Sequence, residues 1–290
     1  MALPPEAADA MDGWQKLDGA VGAERADLDF RTLEPSSLLE DLGRHQLLVL
    51  RDQTLTPESF STAAARLGEL DAYPFAEGLP EAPKVVRLLK EPADSSNFGG
   101  AWHTDTAYAL EPPRITLLYA VEVPRIGGDT LFADAVGAFE RLSDGFKTML
   151  RGLTGHNTAS LVHSDSGGYA DVAGESVTLK ESQVPTDAEH PLVIVNPLSG
   201  REALYFSLIH TSHFLGLTRL ESLPLLEQLH GIITAPENVT RLRWRPGTLA
   251  LWDNRALQHY PLNDYPGERR EMHRIILKGD VPLAATSRLR

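Results

Sequence analysis

Three side chains stand out for what they could do together. Trp102–His103–Thr104–Asp105 sets an imidazole and a carboxylate two residues apart, so in an extended segment both leave the same face and can reach one ion. Alone, His-x-Asp is a weak signal that many chains carry by chance. It gains weight far downstream, where Gln258–His259–Tyr260 supplies a second imidazole 156 residues on, followed by Arg269, Arg270 and Arg274. Two histidines and one carboxylate form a facial triad that leaves adjacent coordination positions open, the ligand set of non-haem Fe(II) oxygenases. His45, His156, His163, His190, His230 and His273 have no such company and read as surface or hydrogen-bonded core residues. His210 and His213 are weaker candidates for substrate contacts.

Composition agrees with a site of this kind. The 290 residues contain no cysteine, which excludes disulfides, iron–sulfur clusters, thiolate metal sites and cysteine nucleophiles. Any metal must then use His, Asp, Glu or water. The net charge of −13 argues against nucleic acid, whose binding needs a basic footprint. No apolar stretch approaches the roughly 18 to 20 residues of a membrane-spanning helix, and Met1–Ala10 lacks the regions of a signal peptide. No membrane partner and a cytoplasmic location are therefore expected, with homo-oligomerisation left open.

The elements that must position these residues are mostly strand-length. Apolar runs at 46–50, 84–89, 115–121, 191–195, 203–206, 248–252 and 274–277 are separated by Gly, Pro, Asn and Asp. Helical patterns occur at 38–45, from Thr56–Pro57 to about Gly68, at 134–150 and at 217–230. Many short strands with few helices predict a mainly β sandwich or barrel with peripheral helices, and no dinucleotide-binding fingerprint follows any strand. Residues 1–12 read as a flexible lead-in and 13–290 as a single domain. Within it, the polar stretch 155–189, rich in Ser, Gly, Asp and Thr, reads as an irregular lid.

Three blocks carry a family resemblance: Trp102–Asp105, EPPRITLLYAVEVPRIGGDTLFAD from Glu111, and WRPGTLALWDNRALQHYPLNDYPGERREMHRIILKGD from Trp244. Together they resemble the taurine dioxygenase/2,4-dichlorophenoxyacetate dioxygenase (TauD/TfdA) family over about Leu38–Pro282. The resemblance implies a double-stranded β-helix, the cupin-like jelly roll, with His103, Asp105 and His259 holding Fe(II). 2-Oxoglutarate would chelate the metal and O2 would be consumed, with release of CO2 and succinate as a substrate C–H is oxidised, most simply by hydroxylation. By position, Arg270 resembles the family's cosubstrate arginine and Thr130 its hydroxyl partner, while Arg269 could exchange roles with Arg270. Asn97 is a further candidate beside the cosubstrate, although its local spacing departs from the taurine enzyme.

Arg274 resembles the arginine that takes the substrate's anionic group, so the partner expected is a small carboxylate or sulfonate. Tyr73, Phe75 and Phe206 are candidates to line the substrate side, and Trp252 reads equally as pocket wall or core. The segment Leu67–Gly68–Glu69–Leu70 runs into Asp71–Ala72–Tyr73–Pro74–Phe75 without the histidine that contacts sulfonate in the taurine enzyme, which argues against taurine. Asp105 argues against halogenation, because related halogenases replace this carboxylate with a small residue. The rival reading is a jelly-roll protein that binds metal and small carboxylates without turnover, or uses the metal for hydrolysis.

Overall fold

The computed structural model describes residues 13–163 and 186–285. The lead-in expected at 1–12 and the middle of the expected lid, 164–185, lie outside the described residues.

The largest sheet has nine strands. With strands numbered in chain order, its centre runs β1 (Leu47–Leu50), β11 (Leu249–Asp253), β3 (Ile115–Glu122), β13 (Arg270–Leu277) and β2 (Ala82–Lys90), each antiparallel to the next. A three-stranded sheet lies across from it, with β4 (Thr130–Asp134) between β10 (Val239–Leu242) and β12 (Leu257–Pro261). Two smaller sheets complete the strands of the described residues. One places β5 (Thr154–Thr158) between β6 (Asp187–Pro191) and β9 (Thr211–Phe214), and the other pairs β7 (Val193–Val195) with β8 (Glu202–Leu204). The architecture is the expected jelly roll.

The strand pattern explains why the central runs are apolar without alternation. In β1, Leu48 and Leu50 pack against Leu38 and Leu42 of helix α1 (Pro35–His45) and Phe60 and Ala64 of helix α2 (Pro57–Ala64). Leu47 and Val49 point the other way, into the space between the sheets, where they join Phe132, Trp252 and Leu257. Both faces of the strand are buried, so every position is hydrophobic. Helix α2 begins as its sequence requires: Thr56 and Ser59 cap each other reciprocally, with Pro57 in the first turn, where its missing N–H costs nothing. It ends at Ala64, short of the Gly68 expected to stop it.

The helical stretch 134–150 divides into α3 (Ala135–Glu140) and α4 (Asp144–Arg151), and α5 spans Arg219–Ile233 behind a Thr218/Glu221 capping box. The ends of the stretch read as irregular are ordered strands: β5 and β6 pair in register from Asp187↔Thr158 to Pro191↔Thr154. Their pattern escaped notice because β5 buries polar side chains. Asn157 accepts from the Thr211 hydroxyl at 2.6 Å and donates to the Gly155 carbonyl at 3.2 Å. Hydrogen bonds here replace the apolar alternation that marks a strand.

Candidate metal and cosubstrate site

A single antiparallel bridge joins the two distant histidines. The His103 amide donates to the His259 carbonyl at 3.0 Å and the His259 amide to the His103 carbonyl at 2.8 Å. Directly opposed residues share a sheet face, and the two rings lie 4.1 Å apart between centroids. Asp105 follows two residues later, its Oδ1 3.7 Å from His103 Nε2 and 4.0 Å from His259 Nε2. All three side chains are buried, and their candidate ligand atoms lie within 4.8 Å of one another. The extended segment expected around Trp102–Asp105 is reduced to this one bridge, but it delivers the same convergence.

Surrounding groups prepare these three for a cation. His103 Nδ1 donates to the Ala101 carbonyl at 2.7 Å, which leaves the Nε2 lone pair facing Asp105. Burial lowers the pKa of His103, and burial together with the neighbouring His103 lowers that of His259 much further, so both rings favour the neutral, ligating form. Burial alone would raise the pKa of Asp105. Arg274, then the two imidazoles, then the Thr116 hydroxyl outweigh it and hold the carboxyl well below the usual range.

That hydroxyl donates to Asp105 Oδ2 at 2.5 Å and accepts from the Asn254 side-chain amide at 2.8 Å, while Asn254 Oδ1 accepts from Trp252 Nε1 at 3.0 Å. The Thr104 hydroxyl donates to the Asn254 carbonyl at 2.6 Å, tying the metal segment to the turn before β12. Sequence reasoning missed Thr116 and Asn254. The available signal was a lone threonine in the apolar run of β3 and a lone amide after β11.

Beside the triad opens a cleft of about 590 Å³, mouth included, lined among others by Thr130, Trp252, Arg270 and Arg274. Arg270 is buried over the Trp244 ring at 6.0 Å, and among the described residues its Nε and Nη2 have no hydrogen-bond partner. Burial pulls the pKa of this guanidinium down, as expected for a charge taken from water without a counter-charge. Thr130 Oγ1 accepts from Trp244 Nε1 at 3.0 Å, so its own hydrogen can be donated elsewhere. Hard ligands at one end and an unpaired arginine with a hydroxyl at the other suit a small dicarboxylate that also chelates a metal. Both the metal and the cosubstrate therefore fit the residues present.

Arg269, the alternative to Arg270, points elsewhere and pairs with Glu91 at 3.4 Å, Glu271 at 2.6 Å and Glu122. Asn97 lines the cleft, but its amide nitrogen donates to the Pro261 and Leu262 carbonyls, each at 3.2 Å, so it fastens the chain just after His259.

On the other side of the triad, Arg274 Nη2 lies 2.8 Å from Asp105 Oδ1 and its guanidinium carbon 4.9 Å from the Tyr73 ring. Tyr73 meets Phe75 and Phe98 edge-on, Phe75 meets Tyr108, and Tyr108 lies 5.1 Å from His210, itself 6.4 Å from His103. Tyr73, Phe75 and His210 thus gather beside the site, with Tyr108, which the sequence reading overlooked. Phe206 does not join them. It is fully buried in the core beneath α3, α4 and α5 with Phe139, Leu150 and Leu226, which corrects the expectation that it lines the substrate side. His213 stacks on His156 at 5.0 Å on the β5–β9 sheet instead of facing the cleft. Trp252 satisfies both of its readings, packing on Phe132 at 5.3 Å and bordering the cleft 4.9 Å from His259.

Comparison with known proteins extends this picture across the chain. An alpha-ketoglutarate-dependent sulfate ester dioxygenase of Pseudomonas putida is 32% identical, covering 93% of this chain and 91% of its own. An alkylsulfatase of Acinetobacter baylyi is 30% identical over 93% of this chain and 86% of its own. The crystal structure of a taurine dioxygenase from Burkholderia xenovorans superposes with a TM-score of 0.76 at 30% identity, covering 93% of this chain and 90% of that one. The profile of the taurine catabolism dioxygenase TauD, TfdA family matches residues 14–276, and the chain belongs to that family.

Proposed function

We propose that this chain oxidises a C–H bond of a small organic anion at an Fe(II) held by His103, Asp105 and His259, with 2-oxoglutarate as cosubstrate. As a 2-oxoglutarate-dependent dioxygenase of the TauD/TfdA family it consumes O2 and releases succinate and CO2. The observation that carries the site assignment is the buried, unpaired guanidinium of Arg270 beside the His–Asp–His cluster. A hydrolytic metal site has no use for it.

The bound iron and cosubstrate supply the oxidising chemistry; the chain supplies binding, orientation and a dry site. Arg270 receives the distal carboxylate of 2-oxoglutarate as a planar fork, and Thr130 donates its remaining hydrogen to the same group. Thr116 and Asn254 fix the second oxygen of Asp105 so that the first faces the cation. Arg274 binds the anionic head of the substrate, and the aromatic group of Tyr73, Phe75 and Tyr108 excludes water around its body.

Relatives that act on sulfate esters and sulfonates support a sulfur oxyanion as that head. Hydroxylating the carbon that bears a sulfate ester gives a hemiacetal-like sulfate, which collapses to an aldehyde and inorganic sulfate. Anaerobic titration with Fe(II) and 2-oxoglutarate is expected to develop the weak visible band of the chelate, and a screen of alkyl sulfates, sulfonates and carboxylates to give substrate-dependent succinate. No band in the wild type would overturn the oxygenase assignment.

A further inference from the structure

We propose that Lys90 is a second cationic contact for the distal carboxylate of 2-oxoglutarate, acting opposite Arg270. The proposal rests on the cosubstrate assignment above and adds a residue to it. In the antiparallel register of β2 and β13, Lys90 and Arg270 are direct partners, so both side chains leave the same face of the sheet. Both line the cleft, and both are buried, at 5% and 7% exposure.

Like charges set opposite each other across a strand pair repel, and burial removes the water that would screen them. Among the described residues, neither forms an ion pair with a carboxylate. Glu91, the neighbour of Lys90 in sequence, pairs with Arg269, and Asp129, the acid that acts on Arg270 from a distance, pairs with Arg241 at 2.6 Å. Among the described residues the Lys90 ammonium meets the Asn263 side-chain oxygen at 2.9 Å and the face of Tyr265 at 4.2 Å. These two neutral partners leave one of its three donors for another acceptor, and they cancel no charge.

A carboxylate entering this end of the cleft resolves the conflict. Arg270 takes two of its lone-pair directions through the guanidinium fork, and Lys90 takes a third from the neighbouring strand. The like-charge pair becomes an alternating arrangement of cation, anion and cation. Selectivity follows as well: a 2-oxo acid without a distal carboxylate would leave two buried cations facing each other.

The test compares 2-oxoglutarate with 2-oxopentanoate, which has the same chain length but no distal carboxylate. Affinities are read anaerobically with the Fe(II)-loaded protein from the visible chelate band. Lys90→Met is expected to weaken 2-oxoglutarate roughly tenfold to a hundredfold while leaving 2-oxopentanoate unchanged, the range for one charge-assisted hydrogen bond. Lys90→Arg should restore most of the preference. Lys90→Gln, checked by circular dichroism, serves where the methionine variant fails to fold. Equal loss of both ligands, or no change in their ratio, would overturn the role of Lys90. A wild type and Arg270→Met that both fail to prefer 2-oxoglutarate would instead overturn the cosubstrate assignment, and this proposal with it.

Discussion

The residues proposed for the cosubstrate and those proposed for the substrate come from different parts of the fold. Of the residues proposed for the metal and cosubstrate, Lys90, Thr130, His259 and Arg270 all stand in strands. Of the residues proposed for the substrate, Arg274 does so. Tyr73 and Phe75 lie between the short strands Leu70–Asp71 and Gly78–Leu79, Tyr108 lies in the turns after the metal segment, and His210 in the turn before β9. A sheet holds positions closely and tolerates little change, whereas loops can be rebuilt without disturbing their neighbours. On the proposed assignments, the cosubstrate contacts stand on the sheets and the substrate contacts mostly on loops.

The sharpest way to test that contrast is Arg270→Met. Removing one partner of a buried charge contact is expected to weaken 2-oxoglutarate by roughly two to three orders of magnitude, with little effect on substrate affinity. Equal losses for both ligands would break the division. Phe206→Ala should cost about 3–5 kcal/mol of stability through an unfilled core cavity, seen in denaturant unfolding, and leave the substrate KM unchanged. A raised KM with unchanged stability would return Phe206 to the substrate side.

A smaller effect is expected from Tyr108→Phe. Loss of one hydroxyl should change substrate KM less than tenfold, about the value of one neutral hydrogen bond, and leave the 2-oxoglutarate requirement alone. The mildest test is pH. His190 in β6 donates from Nε2 to the Ala109 carbonyl at 2.8 Å and so tethers the turn that carries Tyr108, while its Nδ1 is buried without an acceptor. Burial lowers its pKa below the usual value of 6.5. The stability it contributes is therefore present above about pH 6.5 and lost as pH falls through its lowered value. The thermal midpoint should drop between pH 7 and 5, and less steeply in His190→Gln.

The residues that could be read from sequence share a property: their chemistry is local or rare. His103 and Asp105 declare themselves by a spacing of two, and His259 and the arginines by their clustering. Lys90 could not be paired with Arg270 in that way, since the register of β2 on β13 brings them together across 180 residues of sequence. Thr116 was hidden because a single threonine barely marks an apolar strand. Phe206 was misplaced because the apolar run 203–206 reads as one strand, whereas the strand ends at Leu204 and Phe206 lies just beyond it in the core. A mainly β sandwich or barrel was legible in the number and brevity of the strands, and the jelly roll only through the family resemblance; β5 and β6 were not legible, since hydrogen-bonded polar residues fill the positions where apolar ones would have signalled them.

The bridge between His103 and His259 also governs when the site can exist. A ribosome adding about 5–20 residues per second delivers His103 and Asp105 roughly 8 to 30 s before His259 emerges. Throughout that interval the nascent chain offers an ion one imidazole and one carboxylate on an unsupported segment. The third ligand and the two backbone hydrogen bonds that align the pair arrive only when β12 docks. On the proposed metal assignment, a chain truncated before Leu257 would carry most of the protein's mass and both His103 and Asp105, yet lack the third ligand.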